Sequence, residues 1–233
     1  MTTAPETSKA VSNWLIVVAI MVIGMILVGG ATRLTDSGLS ITEWRPVTGV
    51  VPPLTHEGWL EEFEKYRSSS EYQLQNAGMT PGEFEFIYWW EWGHRFLGRT
   101  IGLVFALPLI FFWVRGMIPA GMKPKLVGLL ALGGLQGFVG WWMVASGLVD
   151  RVDVSQYRLA THLSLAFVIL GATLWLALSA RFGTASGKAG RLTPLALVFW
   201  GAVMLQIALG AFVAGLDAGR IYTTWPGMEG RII

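Results

Sequence analysis

The chain has 233 residues, 53% hydrophobic and only 14% charged, against about 25% charged in a soluble domain, which with a mean hydropathy of +0.54 excludes an ordinary soluble fold. The net charge of +2 does not argue for nucleic acid, because the basic residues sit in short loops between apolar runs, where they report topology. Cysteine is absent, so disulfides, thiolate metal sites and thiol nucleophiles are all excluded.

Five apolar runs are long enough to cross a bilayer core, which takes roughly 20 helical residues. They lack the in-out alternation of a barrel strand, so the expected fold is all-α and integral to a membrane. Residues 1–13 form an N-terminal tail. The first run, Trp14–Gly30, is too long for a signal peptide, has no basic start and ends without an A-x-A site, so a retained helix is expected.

The outer segment 31–93 follows. Within it, Glu57–Arg67 places Trp59, Leu60, Phe63 and Tyr66 on one helical face, a pattern suited to the membrane interface or the mouth of a bundle. Thr80-Pro81-Gly82-Glu83 reads as a helix start, with Thr80 as N-cap, Pro81 at the first position and Glu83 closing a capping box. The pattern then runs unbroken through Tyr88–Trp92 into the second span, Gly98–Ile118, predicting one long helix whose outer end protrudes. Its Trp and Tyr residues mark the headgroup level.

The third, fourth and fifth runs are Leu126–Ser146, Leu159–Ala180 and Pro194–Ala214. The loop before the third carries Arg115, Lys123 and Lys125 without an acid, and the loop before the fifth carries Arg181, Lys188 and Arg191 without an acid. Both are expected in the cytoplasm. Residues 32–93 carry ten acidic and four basic residues and fall outside, with the balanced loop Gly147–Arg158. The N-terminus is then cytoplasmic and Asp217–Ile233 is outside.

An internal repeat is visible. Asp36, Gly38, Thr42 and Trp44 recur as Asp217, Gly219, Thr223 and Trp225 at an offset of 181 residues, which also pairs Gly29 with Gly210. Both copies follow an apolar run. Residues 14–181 therefore read as a first four-helix transmembrane bundle, and 182–233 as the cytoplasmic loop, fifth helix and outer loop of a second, pseudo-symmetric bundle. The second copy carries one helix of the four, so the chain reads as C-terminally truncated.

Three histidines are present. His56, among prolines and acids, reads as solvated. His94 and His162 lie at the outer ends of the second and fourth spans, at similar depth. Two imidazoles so placed suit bis-axial ligation of a haem iron, the alternative being a hydrogen-bonded contact between helices; zinc would be short of ligands. Glu91, His94, Arg95, Gly98 and Gly102 fall on one face of the second helix. Gly98 and Gly102 leave room for a flat macrocycle or for close helix packing. Arg95, Arg99 and Arg158 at the outer rim suit haem propionates, or lipid headgroups. Glu91, one turn above His94 among tryptophans, suits proton movement or stabilisation of a cation, or a simple pair with Arg95. Gln136 and Gln206, inside spans, suit helix packing.

The segments Gly29–Ser40 (GGATRLTDSGLS), Glu91-x-x-His94-Arg95, Leu135-Gln136-Gly137-x-x-Gly140-Trp141, Gln156–His162 (QYRLATH) and Gly210–Gly219 (GAFVAGLDAG) together resemble haem A synthase, in its cysteine-free mitochondrial and alphaproteobacterial branch. The resemblance implies eight transmembrane helices in two pseudo-symmetric bundles, in the cell inner membrane. It implies oxidation of the C8 methyl of haem O to a formyl group, with oxygen from water, for cytochrome oxidase assembly. The front half would receive haem O between His94 and His162, with Glu91 catalytic, and the back half would bind haem b through histidines absent from this chain. Implied partners are the lipid bilayer, haem O, haem O synthase and cytochrome oxidase assembly proteins; a homo-oligomer is compatible. Two other readings use the same histidines: a b-type cytochrome passing electrons, and a non-enzymatic haem-binding assembly partner.

Overall fold

The computed structural model describes residues 6–148, 151–183, 193–221 and 224. Lys188, Arg191, Thr223 and Trp225 lie outside the described residues. The described residues are helical and contain no strand. The helices are α1 (Glu6–Leu34), α2 (His56–Arg67), α3 (Ser70–Leu74), α4 (Pro81–Val114), α5 (Lys123–Val144), α6 (Gln156–Phe182), α7 (Thr193–Gly215) and α8 (Ala218–Ile221). Five of them (α1, α4, α5, α6 and α7) are long and apolar enough to cross a membrane, and they coincide with the five apolar runs.

α1 packs against α4 and α6, α6 against α5 and α7, and α4 meets α5 along the slightest contact of the ring. Helices α1, α4, α5 and α6 thus form a four-helix bundle in which α4 and α6 stand diagonally opposed. The apolar core fills only one end of it. Leu15, Val18, Phe105, Leu126 and Leu176 are buried there, all from the helix halves remote from α2 and α3. The other half of the interior is left to the polar site.

Pro108 sits inside α4 and cannot donate to the carbonyl one turn earlier, that of Val104. In a membrane that orphaned carbonyl needs a partner. The indole of Trp14 supplies it, donating from Nε1 at 2.8 Å, while its ring packs on Phe105 and Phe112. One residue at the start of the first apolar run therefore repairs the second span.

The long protruding helix forms as the capping pattern predicts. The Thr80 hydroxyl accepts from Glu83 N, and the Glu83 carboxylate accepts from Thr80 N at 2.8 Å. α2 lies against the protruding end of α4, burying Phe63 and Tyr66 with Phe84, Ile87 and Tyr88. Trp59 stacks edge-on to Tyr88 at 5.0 Å. Leu60, expected on the same buried face, is 40% exposed. The apolar face of α2 is spent on α4 rather than on a flat interface, and Leu60 lies at its margin.

The repeat reappears in backbone geometry. α1 ends at Leu34 and α7 at Gly215, equivalent positions at the 181-residue offset. Asp36 and Asp217 follow with φ of 48° and 49°, the two non-glycine residues with positive φ among those described. Few L-residues adopt that conformation, and Asp is among the more tolerant.

Candidate functional site

The site occupies the half of the bundle beside α2 and α3. His94 enters it from α4 and His162 from α6, the two diagonally opposed helices. Each ring rests on a glycine of a neighbouring helix. A Cβ built on Gly29 of α1 would come within 3.0 Å of His94 Nε2, and one on Gly140 of α5 within 3.0 Å of His162 Cε1. Gln136, one turn from Gly140, donates to the His162 carbonyl at 3.1 Å and stands 3.4 Å from its Nε2. His162 Nδ1 is buried with no hydrogen-bond partner. On the same helices, a Cβ at Gly102, Gly133 or Gly137 would meet nothing within 4 Å, whereas one at Gly98 would press on Met25 at 3.2 Å.

Glu91 is 3% exposed and fully engaged. One carboxylate oxygen accepts from Ser40 Oγ and from Ile41 N, both at 2.7 Å. The other accepts from Arg95. A carboxylate buried with an arginine and two further donors is held in one position. Its partners tie the chain after α1 to the outer turns of α4. Ser40 and the Ile41 amide carry no signal of their own in the sequence beyond lying in the Gly29–Ser40 segment.

The three arginines are placed differently from one another. Arg95 also donates to the carbonyls of Glu43 at 3.2 Å and Ile41 at 3.0 Å. Arg99 donates to the carbonyls of Pro46 at 2.9 Å and Arg45 at 3.0 Å, and its remaining nitrogen, Nη1, is buried without a partner. Arg158 donates to the Trp142 carbonyl at 2.6 Å and lies over the Trp142 ring at 4.5 Å. His56 is exposed at the start of α2, apart from this cluster. Among the described residues no group of three or more His, Asp or Glu is placed to hold a bare metal ion.

A second polar knot lies at the same end. Arg33 reaches Asp153 at 2.6 Å, Asp217 at 2.9 Å and Asp36 at 3.5 Å. Nearby, Glu71 of α3 is 4% exposed, with one carboxyl oxygen unpartnered. Its burial, then the negative charges of Glu91, Asp153 and Asp36, raise its pKa to about 8 against the lowering contact of the Tyr66 hydroxyl. Neither residue stands out in the sequence, where Glu71 is one acid among ten.

The model of the cytochrome oxidase assembly protein family matches residues 12–233. The chain belongs to that family. Among the relatives it matches is a haem A synthase of Maricaulis maris, 61% identical over 97% of this chain and 66% of the relative. Others are haem A synthases of a Chelativorans species, 56% identical over 94% of this chain and 61% of the relative, and of Hyphomonas neptunium, 54% identical over 98% and 66%. The chain thus spans slightly less than two thirds of the length of these relatives. No solved structure matches it. The resemblance carried by the Glu91-x-x-His94-Arg95 and QYRLATH segments is borne out at the level of the family.

Proposed function

We propose that this chain is the substrate-handling part of a haem A synthase, receiving haem O between His94 and His162 in the outer half of the first bundle. The observation that carries the reading is the diagonal placement of the two imidazoles. Each is backed by a glycine, in the half of the bundle that the apolar cluster does not reach. Two neutral imidazoles suit axial contacts to a porphyrin iron. The unpartnered His162 Nδ1 and the open space at Gly102, Gly133 and Gly137 fit a large flat ligand there.

Oxidising the C8 methyl to a formyl group with the oxygen of one water releases four electrons and four protons. A haem b cofactor outside the first bundle would supply the route for these electrons to an external one-electron acceptor. Glu91 contributes a fixed negative charge one turn above His94, suited to a substituent that becomes electron-poor and to the protons it sheds. Arg95 holds that carboxylate in place. Arg99 Nη1 and the half-buried Arg158 suit the propionates. Residues 14–181 act as the first bundle and 182–233 as the opening of the second. The chain lies in the inner membrane with Arg115, Lys123, Lys125 and Arg181 on the cytoplasmic side. Haem O synthase and oxidase assembly proteins are the expected partners.

The test uses the full-length protein. Glu91→Gln retains an acceptor for Ser40 and Ile41 N but removes the charge, so haem is expected to stay bound while formyl haem disappears from extracted pigment. Normal haem A levels would instead favour a b-type cytochrome. His94→Ala and His162→Ala are each expected to weaken haem loading; unchanged pigment spectra in both would remove the ligand assignment.

A further inference from the structure

Residues 44–54 run Trp-Arg-Pro-Val-Thr-Gly-Val-Val-Pro-Pro-Leu, with no charge after Arg45. Apart from the short turn Thr48–Val50 the stretch is irregular, yet it carries its apolar side chains outward. Val47 is 80% exposed, Val51 62%, Leu54 81% and Trp44 49%. On an aqueous surface this would be a costly patch.

Its anchors show where it lies. The carbonyls of Ile41, Glu43, Arg45 and Pro46 are taken by Arg95 and Arg99, and both arginines belong to the helix that crosses the membrane. Arg99 stands about 7.5 Å deeper along α4 than His94, at 1.5 Å per residue. Irregular backbone survives at membrane depth only where its polar groups find protein partners. The two guanidinium groups meet that requirement for four carbonyls between Ile41 and Pro46, and the valines and Leu54 are left facing outward, where acyl chains lie.

The loop also crosses the weakest edge of the bundle. It is tethered to α4 by the arginines, and on the far side Trp44 meets Trp141 of α5 at 6.3 Å. Leu39, just before it, is buried against Gly147 at the outer end of α5, where an added Cβ would stand 2.7 Å from it. The α4–α5 contact beneath is the slightest of the four. A cavity of about 180 Å³ lined by Glu43, Gly49, Tyr88, Arg95 and Arg99 lies between the loop and α4. Gly140, on which the His162 ring rests, is the residue next to Trp141 on α5.

We propose that residues 44–54 are a flap seated in the outer leaflet, closing a lateral portal between α4 and α5 through which a membrane-dissolved porphyrin reaches the His94–His162 interior. The seat in the leaflet stands on the anchors and exposures above; the portal rests on the haem reading of the site.

The absence of native cysteine makes both parts directly testable. Val47→Cys carrying a fluorophore, in vesicles of phosphatidylcholine, is expected to be quenched by nitroxide-labelled lipid and shielded from aqueous iodide. Quenching by iodide with no effect of the nitroxide lipid would overturn the seat. In the Trp44→Cys/Trp141→Cys double variant, bridged by a short bis-thiosulfonate, uptake of haemin from the same vesicles is expected to slow at least tenfold and to recover on reduction. Full bridging with unchanged uptake would overturn the portal. Uptake in neither state would sink the haem reading and the portal with it, while the quenching result still decides the seat.

Discussion

A methyl group added at Gly140 would stand 3.0 Å from His162 Cε1, tighter than nine in ten Cβ contacts, and the imidazole would have to give way. Overpacking of this kind costs about 1–3 kcal/mol, so Gly140→Ala is expected to lower haem affinity roughly tenfold without touching either histidine. Gly137→Ala, one turn away and in open space, is the control. Haem titration of the two variants separates them, and equal affinities would mean that the glycine contact does not set the position of His162. Both histidines and Glu91 were legible in the sequence because an ionisable group inside an apolar helix is expensive and so conspicuous. The glycines that back the rings were not, because a glycine in a membrane helix has many uses and only the facing helix decides which. Gln136 shows the same limit. It packs helices, as expected, but it does so at His162.

At the scale of elements, the protruding end of α4 depends on its cap. Thr80→Ala removes the hydroxyl that receives the Glu83 amide and costs about 1 kcal/mol, so faster hydrogen exchange is expected in the first turn of α4, with little change at Phe105–Phe112. The cap was readable because its chemistry is local, four residues long. α3 was not: five residues carry too little periodicity, and nothing in so short a stretch marks Glu71 as buried. That burial has a pH signature. The Glu71 pKa is raised from 4.5 to about 8, so the folded segment holds a proton that the unfolded one releases. The contribution of Glu71 is fully present below pH 4.5 and is lost as pH rises toward 8, at about 1.4 kcal/mol per pH unit. Proteolysis of the α2–α3 segment in the membrane-embedded chain is expected to quicken over that window, and Glu71→Gln to flatten the dependence. A profile unchanged by the substitution would show that Glu71 is not the titrating group.

For the whole molecule, the duplication is what ties local geometry to assembly. It was legible as an offset of 181 residues, and the matching helix ends and matching φ at Asp36 and Asp217 show that the two copies share a backbone turn as well as identities. What the offset did not reveal is how the copies touch. Arg33 of the first copy donates to the carbonyl of Ala214, its own equivalent in the second, and pairs with Asp217. The contact is one-sided because the second copy has alanine where the first has arginine, and a clasp between residues 184 apart leaves no mark in local pattern. Arg33 is only 19% exposed, with Asp153 and Asp217 at 31% and 40%, so its loss falls between a surface pair and a buried one. Arg33→Ala leaves Asp36, Asp153 and Asp217 facing one another and is expected to destabilise by about 1–3 kcal/mol, read as a lowered Tm in detergent. Adding Asp217→Asn to Arg33→Ala relieves part of that repulsion. The double variant should therefore be less destabilised than the sum of the two single ones, by about 1 kcal/mol. Strict additivity would show that Arg33 and Asp217 do not hold the end of α7 against the bundle of α1, α4, α5 and α6.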